Sequence, residues 1–158
     1  MNILVLCTGN SARSILLECL LRRLGGGQIT SFSAGSQPAG KVHPQSLHLL
    51  AAEGYDTSAL ASKSWDVFAD RSAPVMAAVI TVCGSAAGET CPIWPGTPLR
   101  AHWGVEDPAA APPEDAPRAF QDAYDILARR AQCFTQAPIA TMDPARLQAH
   151  LTACSTVP

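Results

Sequence analysis

The stretch that most constrains this chain is its first 27 residues, "MNILVLCTGNSARSILLECLLRRLGGG". "NILVL" (2–6) is apolar without alternation, the pattern of a strand covered on both faces in a parallel sheet. No hairpin signal follows it. A short polar loop, "CTGNSAR", leads instead into a leucine-rich helix that Gly25, Gly26 and Gly27 stop. A strand that runs straight into a helix must return to its sheet by a crossover, and crossovers make parallel neighbours.

The rest of the chain repeats this alternation. "ITSFSAGS" (29–36), "MAAVITVC" (76–83) and "LRAHWGV" (99–105) read as three further strands. "HPQSLHLLAAEG" (43–54), "EDAPRAFQDAYDILARRAQCFTQ" (114–136) and "DPARLQAHLTAC" (143–154) read as helices, and "SWDVFAD" (64–70) as a short one. In 114–136, Phe120, Tyr124, Leu127, Ala131 and Phe134 recur at helical spacing. Residues 84–98, rich in Gly and Pro, read as a loop. The expected fold is α/β: a mostly parallel four-stranded sheet with helices on both faces. One domain spans 1–158, with a C-terminal helical extension over about 136–158.

Composition narrows the function. Charged residues are 15% of the chain, hydrophobic ones 47%, and the net charge is -2. That excludes a disordered chain and gives no basic footprint for nucleic acid or anionic membrane. No apolar run approaches a membrane span, and the N-terminus does not read as a secretory signal. A monomer in the cytoplasm is expected. In that reducing compartment the six cysteines (7, 19, 83, 91, 133 and 154) are not expected to be paired for structure.

In a parallel sheet, ligands bind beyond the carboxyl ends of the strands. Cys7 and Cys83 each stand at such an end. After Cys7 comes an anion cradle: backbone N–H groups at a helix N-terminus, Gly9 for close approach, Asn10 for a left-handed turn, and Arg13 as a planar fork for a tetrahedral oxyanion. Thr8, Gly9, Asn10, Ser11, Ala12, Arg13 and Ser14 form the oxyanion-binding loop. Ser14 can hydrogen-bond the sulfur. Such surroundings lower a thiol from about 8.5 to roughly 3.5–7.5, so Cys7 is expected to be a thiolate nucleophile.

The loop "CTGNSARS" resembles that of the low-molecular-weight protein tyrosine phosphatases, and "VCGSAAGETCPIWPGTPLRAHWGVEDPA" resembles the arsenate reductases built on the same fold. The similarity spans about residues 1–135. It implies that Cys7 attacks arsenate, for which phosphate and sulfate are analogues. Cys83 then attacks Cys7 and releases arsenite, and Cys91 passes the disulfide outwards. It implies Asp107, in the Asp107-Pro108 pair, as the general acid for the departing oxygen. Thioredoxin, or glutathione with glutaredoxin, would return the electrons. Asn10, Glu18, Ser33 and Asp66 match a potassium site of some members, although Glu18 can equally pair with Arg22 four residues on.

The two activities differ in their need for thiols. Ester hydrolysis requires one cysteine, whereas reduction of arsenate takes two electrons, which two thiols supply on forming a disulfide. The chain departs from the phosphatases at Ala12, where they carry a second cysteine, and at "AAAPPED", where they carry tyrosines. It departs from many reductases at Gly84-Ser85 and by one extra residue between Cys83 and Cys91. The expected activity is therefore reduction of arsenate to arsenite in arsenic detoxification, with weak phosphatase activity. A phosphomonoester phosphatase is the alternative, and a module that only senses an oxyanion is a third class. Zinc is disfavoured, because structural sites favour close cysteine pairs. Cys19, Cys133 and Cys154 sit in helical patterns and read as packing residues, or, for Cys154, as exposed at the tail.

Overall fold

The structure is a computed structural model that describes residues 1–84 and 96–158. Four strands, β1 (Asn2–Cys7), β2 (Thr30–Gly35), β3 (Ala78–Thr81) and β4 (Leu99–His102), form one sheet in the order β2-β1-β3-β4. Every pairing is parallel, as the apolar runs require. Helices α1 (Arg13–Leu24), α2 (Pro44–Ala52), α3 (Ala116–Gln136) and α4 (Pro144–Cys154) follow the expected segments, and 64–70 contains a single 3-10 turn, Trp65–Phe68.

The chain leaves β1 toward β2 on one side and returns to β3 on the other. The β1/β3 boundary is therefore a switch point, where the crossovers diverge and open a crevice at the carboxyl edge. Leu6 stands opposite Thr81 in the register, so Cys7 ends β1 and Cys83, two residues beyond β3, follows at the same edge; β3 is shorter than the 76–83 that the sequence pattern suggests.

Each face of the sheet has its own apolar cluster. Ile3, Val5, Ala78 and Ile80 pack with all four helices through residues such as Ile15, Leu50, Phe120, Leu127 and Leu151. Leu4, Leu6 and Val79 pack on the other face against Phe68 and Met76. Helix α1 is buried on all sides from Ser14 to Leu21, which is why its leucines show no clean amphipathic stripe.

Strand β4 ends at His102, three residues earlier than the sequence pattern suggests. The Trp103 N–H still donates to Thr81 O at 2.8 Å. Its indole, however, turns under α4, where Nε1 donates to Leu151 O at 2.9 Å. Burial of the large ring wins over strand regularity. Helix α4, begun by the Asp143 carboxylate accepting the Arg146 N–H, also covers β4. Gln148 accepts from the Arg100 N–H at 3.2 Å and donates to Arg100 O at 2.8 Å, so one side chain stands in for a neighbouring strand. Gln148→Ala should cost about 1 kcal/mol in urea unfolding, the scale of a net hydrogen bond; an unchanged midpoint would show that Gln148 does not brace β4.

Candidate active site

The loop between β1 and α1 is held open from behind. The carbonyls of Cys7, Thr8, Gly9 and Ser11 accept from the N–H groups of Ser36, Gln37, Ala39 and His43, at 2.8–3.3 Å. Ser62 Oγ donates to Gly9 O, and Ser46 Oγ to Ser11 O. The loop's negative dipole ends are thus drawn outward. Gly35, beside Cys7 in the register, makes this possible. A Cβ there would lie 2.4 Å from Thr8 O and 3.0 Å from Asn10 N, both backbone atoms.

Asn10, with φ of 44°, takes the left-handed turn that the sequence suggests. It is fully buried, and every polar atom of its amide is used. Oδ1 accepts from the Lys63 N–H at 2.8 Å, a donor that fixes which end of the amide is oxygen. Nδ2 donates to Ser14 Oγ at 3.0 Å and to Ser33 Oγ at 2.9 Å. Each hydroxyl therefore directs its own proton away from Asn10. Ser33 donates to Glu18 Oε2 at 2.5 Å, and Ser14 stands 2.9 Å from Cys7 Sγ. The Asn10 N–H donates to the same sulfur at 3.0 Å. The network ends in an anion at Glu18 and presents two donors to Cys7.

Those donors do not lower the thiol to the range expected from the sequence. Burial pushes the Cys7 thiol above the ordinary cysteine value, outweighing the pull of the Ser14 and Asn10 hydrogen bonds, and Cys83 adds to the upward push. The expectation of a low value is corrected accordingly. Arg13, the cation meant to favour the thiolate, is committed elsewhere. Its guanidinium donates to Asp107 Oδ2 at 2.7 Å and to Val105 O at 3.1 Å. The Asp107 side chain is 44% exposed, so the pair holds by only about 0–1 kcal/mol and can open toward an incoming anion.

Cys7, Thr8, Gly9, Ser11, Ala12, Arg13, Asp107 and Ala109 line one pocket of about 260 Å3. Asn10 and Ser14 stand behind it. The residues named from sequence as nucleophile, cradle and acid thus converge. A neighbouring pocket shares Asp107 and is walled by Ala110, Ala111, Ala119, Ala123 and Ile126, with no aromatic ring among its lining. Cys83 is buried, and its Sγ lies 3.6 Å from Thr8 Oγ1. Cys91 lies outside the described residues.

The potassium set does not assemble. Asn10, Ser33 and Glu18 meet, but Asn10 Oδ1 is taken by the Lys63 N–H, Ser33 Oγ donates to Glu18 Oε2, and Glu18 Oε1 accepts from Arg22 at 2.5 Å. Arg22 supplies the positive charge that a hard cation would bring. Asp66 is exposed, with Oδ2 accepting from Ser64. Among the described residues no group of three or more His, Cys, Asp or Glu side chains is placed to hold a metal ion.

Sequence reasoning missed Lys63, Ser62 and Ser46. Lys63 acts through its backbone, which no side-chain motif records.

The family model for low molecular weight phosphotyrosine protein phosphatases matches residues 2–144. The chain is 33% identical over 133 residues to the arsenate reductases of Halalkalibacterium halodurans and Bacillus subtilis, covering 83% of this chain and 92% of each relative. Among solved structures, an arsenate reductase in the phosphate binding state is 26% identical with a TM-score of 0.69, covering 85% of this chain and 96% of that one. A tyrosine phosphatase from Escherichia coli K30 in complex with sulphate shares the fold at 20% identity and a TM-score of 0.68, with the same coverage.

Two outcomes test this geometry. Gly35→Ala should displace the loop and lower turnover at least tenfold, because backbone cannot yield as a flexible side chain does; unchanged kinetics would contradict the close approach. Iodoacetamide alkylation of Cys7 should have its midpoint above that of a free cysteine. Ser14→Ala should move it higher still, with slower alkylation at neutral pH, since removing a donor disfavours the thiolate. A midpoint unmoved by Ser14→Ala would remove Ser14 from the account.

With its parallel order, its loop between β1 and α1 and these relatives, the chain belongs to the low molecular weight phosphotyrosine protein phosphatase family, alongside its arsenate reductases.

Proposed function

We propose that this protein reduces arsenate to arsenite by a thiol relay that begins at Cys7. The observation that carries the reading is the second thiol: Cys83 is buried two residues beyond β3, the strand next to β1, and touches the loop through Thr8. Ester hydrolysis has no use for it; a two-electron reduction does.

Arsenate enters the pocket as an anion, and Arg13 turns from Asp107 to hold it. That move brings a positive charge toward Cys7 and offsets the cost of ionising a buried thiol. The Cys7 thiolate attacks arsenic and displaces one oxygen, which leaves as water with a proton from Asp107. Cys83 then attacks the Cys7 sulfur. The arsenic–sulfur electron pair stays on arsenic, giving arsenite and a Cys7–Cys83 disulfide. Cys91 attacks Cys83, frees Cys7 and forms a Cys83–Cys91 disulfide. Thioredoxin, or glutathione with glutaredoxin, reduces that bond. The relatives named arsenate reductases support the reduction of arsenate as the overall reaction.

The same cradle accepts a phosphomonoester, so weak phosphatase activity through a phosphocysteine accompanies the reading. Among the described residues, the neighbouring alanine-walled pocket offers no aromatic surface for a phosphotyrosine ring.

Arsenate turnover with thioredoxin, and separately with glutathione plus glutaredoxin, tests the relay. Cys83→Ser and Cys91→Ser should lose multiple turnover yet keep phosphatase activity, and Cys7→Ser should lose both. Normal arsenate reduction by both Cys83→Ser and Cys91→Ser would refute the relay. Asp107→Asn should lower kcat by roughly 10²–10⁴-fold, the range of general acid catalysis.

A further inference from the structure

The resting place of Arg13 is set from a distance. Its guanidinium has two partners, Asp107 Oδ2 at 2.7 Å and Val105 O at 3.1 Å. Only the first must be released when an oxyanion arrives. The second is a backbone carbonyl, so whatever fixes the peptides around Val105 also fixes one edge of the guanidinium.

Local structure does not fix them. Strand β4 ends at His102, and residues 103–107 belong to no strand or helix. Val105 follows Gly104, which has no side chain to pack. A Cβ at 104 would lie 2.5 Å from His102 Nε2, so the imidazole lies close against bare backbone there. Two tertiary hydrogen bonds hold the segment instead. The Val105 N–H donates to Val82 O at 3.3 Å, and Arg130 Nη1 of α3 donates to Gly104 O at 3.0 Å. That N–H and that carbonyl are the two ends of one peptide group, which is thus gripped from both sides. The next carbonyl along the chain is the one that receives Arg13.

Arg130 is pinned in turn. It is half-buried, and its Nε donates to Val157 O at 2.9 Å. One planar fork therefore joins two carbonyls from distant parts of the chain. Val157 lies in the C-terminal extension, outside the residues that the family model matches. Arg129, the preceding residue, also reaches that extension by donating to Pro158 O, but among the described residues it makes no hydrogen bond to 103–107.

We propose that Arg130 is a positioning residue for oxyanion binding: by gripping the Gly104–Val105 peptide it holds Val105 O where that carbonyl orients the Arg13 guanidinium. The inference rests on Arg13 as the fork that receives the oxyanion, and not on the thiol relay. With Val105 O as a fixed pivot, Arg13 needs only to exchange the Asp107 carboxylate for the incoming anion. Without the pivot the long side chain loses its orientation, and each binding event must first restore it. The C-terminal extension thereby contributes to the pocket without touching it.

The test titrates inorganic phosphate into the reduced full-length protein by calorimetry, with a melting curve for each variant. Phosphate binding needs no electron transfer, so the result stands apart from the fate of the relay. Arg130→Gln should weaken binding roughly 2–10-fold, the factor that one net hydrogen bond is worth. Arg130→Lys keeps the charge but not the fork, and should show a smaller loss of the same kind. Arg129→Gln removes a charge from the same helix and a bond to the same extension, and should bind as the parent does. In an Arg13→Lys background Arg130→Gln should cost no further affinity, because the two act through one contact. For a phosphomonoester, the Arg130→Gln loss should fall on KM, with kcat kept within about twofold. Lower melting with unchanged phosphate affinity would overturn the proposal and leave Arg130 as a structural brace. An equal loss in Arg129→Gln, or full additivity with Arg13→Lys, would also overturn it. Where Arg130→Gln folds poorly, Arg130→Lys decides alone, and affinity equal to the parent's refutes the role. An unaltered protein that binds no phosphate would overturn the cradle itself and this proposal with it.

Discussion

The hydrogen bond from the Lys63 N–H to Asn10 Oδ1 sets the polarity of the whole site. With one end of the amide fixed as acceptor, the other must be a double donor. Ser14 and Ser33 each receive one of its protons and must send their own onward, one toward sulfur and the other toward Glu18. If the amide were reversed, both hydroxyls would be drawn back toward Asn10, and Cys7 would lose a donor. A buried network of this kind is useful only when every member is satisfied, since an unpaired buried polar atom costs about 1–3 kcal/mol. Glu18 closes it at the far end because Arg22, half exposed, neutralises its charge.

The sheet determines what stands in front of that network. Parallel strands bring Cys7 and Cys83 to the same carboxyl edge, and the switch of chain direction between β1 and β3 leaves a crevice that Cys7 lines, with Cys83 buried against Thr8 of the same loop. Burial has opposing consequences there. It keeps both thiols away from water, yet it penalises the Cys7 thiolate. Two hydrogen bonds only partly repay that penalty. The remaining charge must come from Arg13, and its weak, half-exposed partnership with Asp107 leaves it free to move.

Much of this was legible in the sequence. The unbroken apolar runs and the loop after Cys7 point to a parallel sheet and to the loop that lines the pocket, because each depends on local pattern. The Asn10 turn is equally local, a short side chain that tolerates positive φ. What the sequence did not show depends on tertiary encounter. Lys63 contributes a backbone donor, which any residue carries. The pairing of Arg13 with Asp107 joins residues far apart in the chain, as does the clasp of Gln148 on Arg100. The rise of the Cys7 thiol follows from burial, whereas the loop motif displays only the groups that oppose it. For potassium, residue types matched, but Asn10 Oδ1 is held by the Lys63 N–H, the Ser33 and Glu18 oxygens bond each other, and Asp66 faces solvent.

The central claim is that one protein molecule can reduce one arsenate with its own thiols. Fully reduced protein, freed of reductant and mixed with arsenate, should yield about one arsenite per chain and lose two titratable thiols, with Cys7 recovered free and the disulfide on Cys83. Production of no arsenite, with the thiol count unchanged while a phosphomonoester is still hydrolysed, would contradict the account and leave a phosphatase in its place.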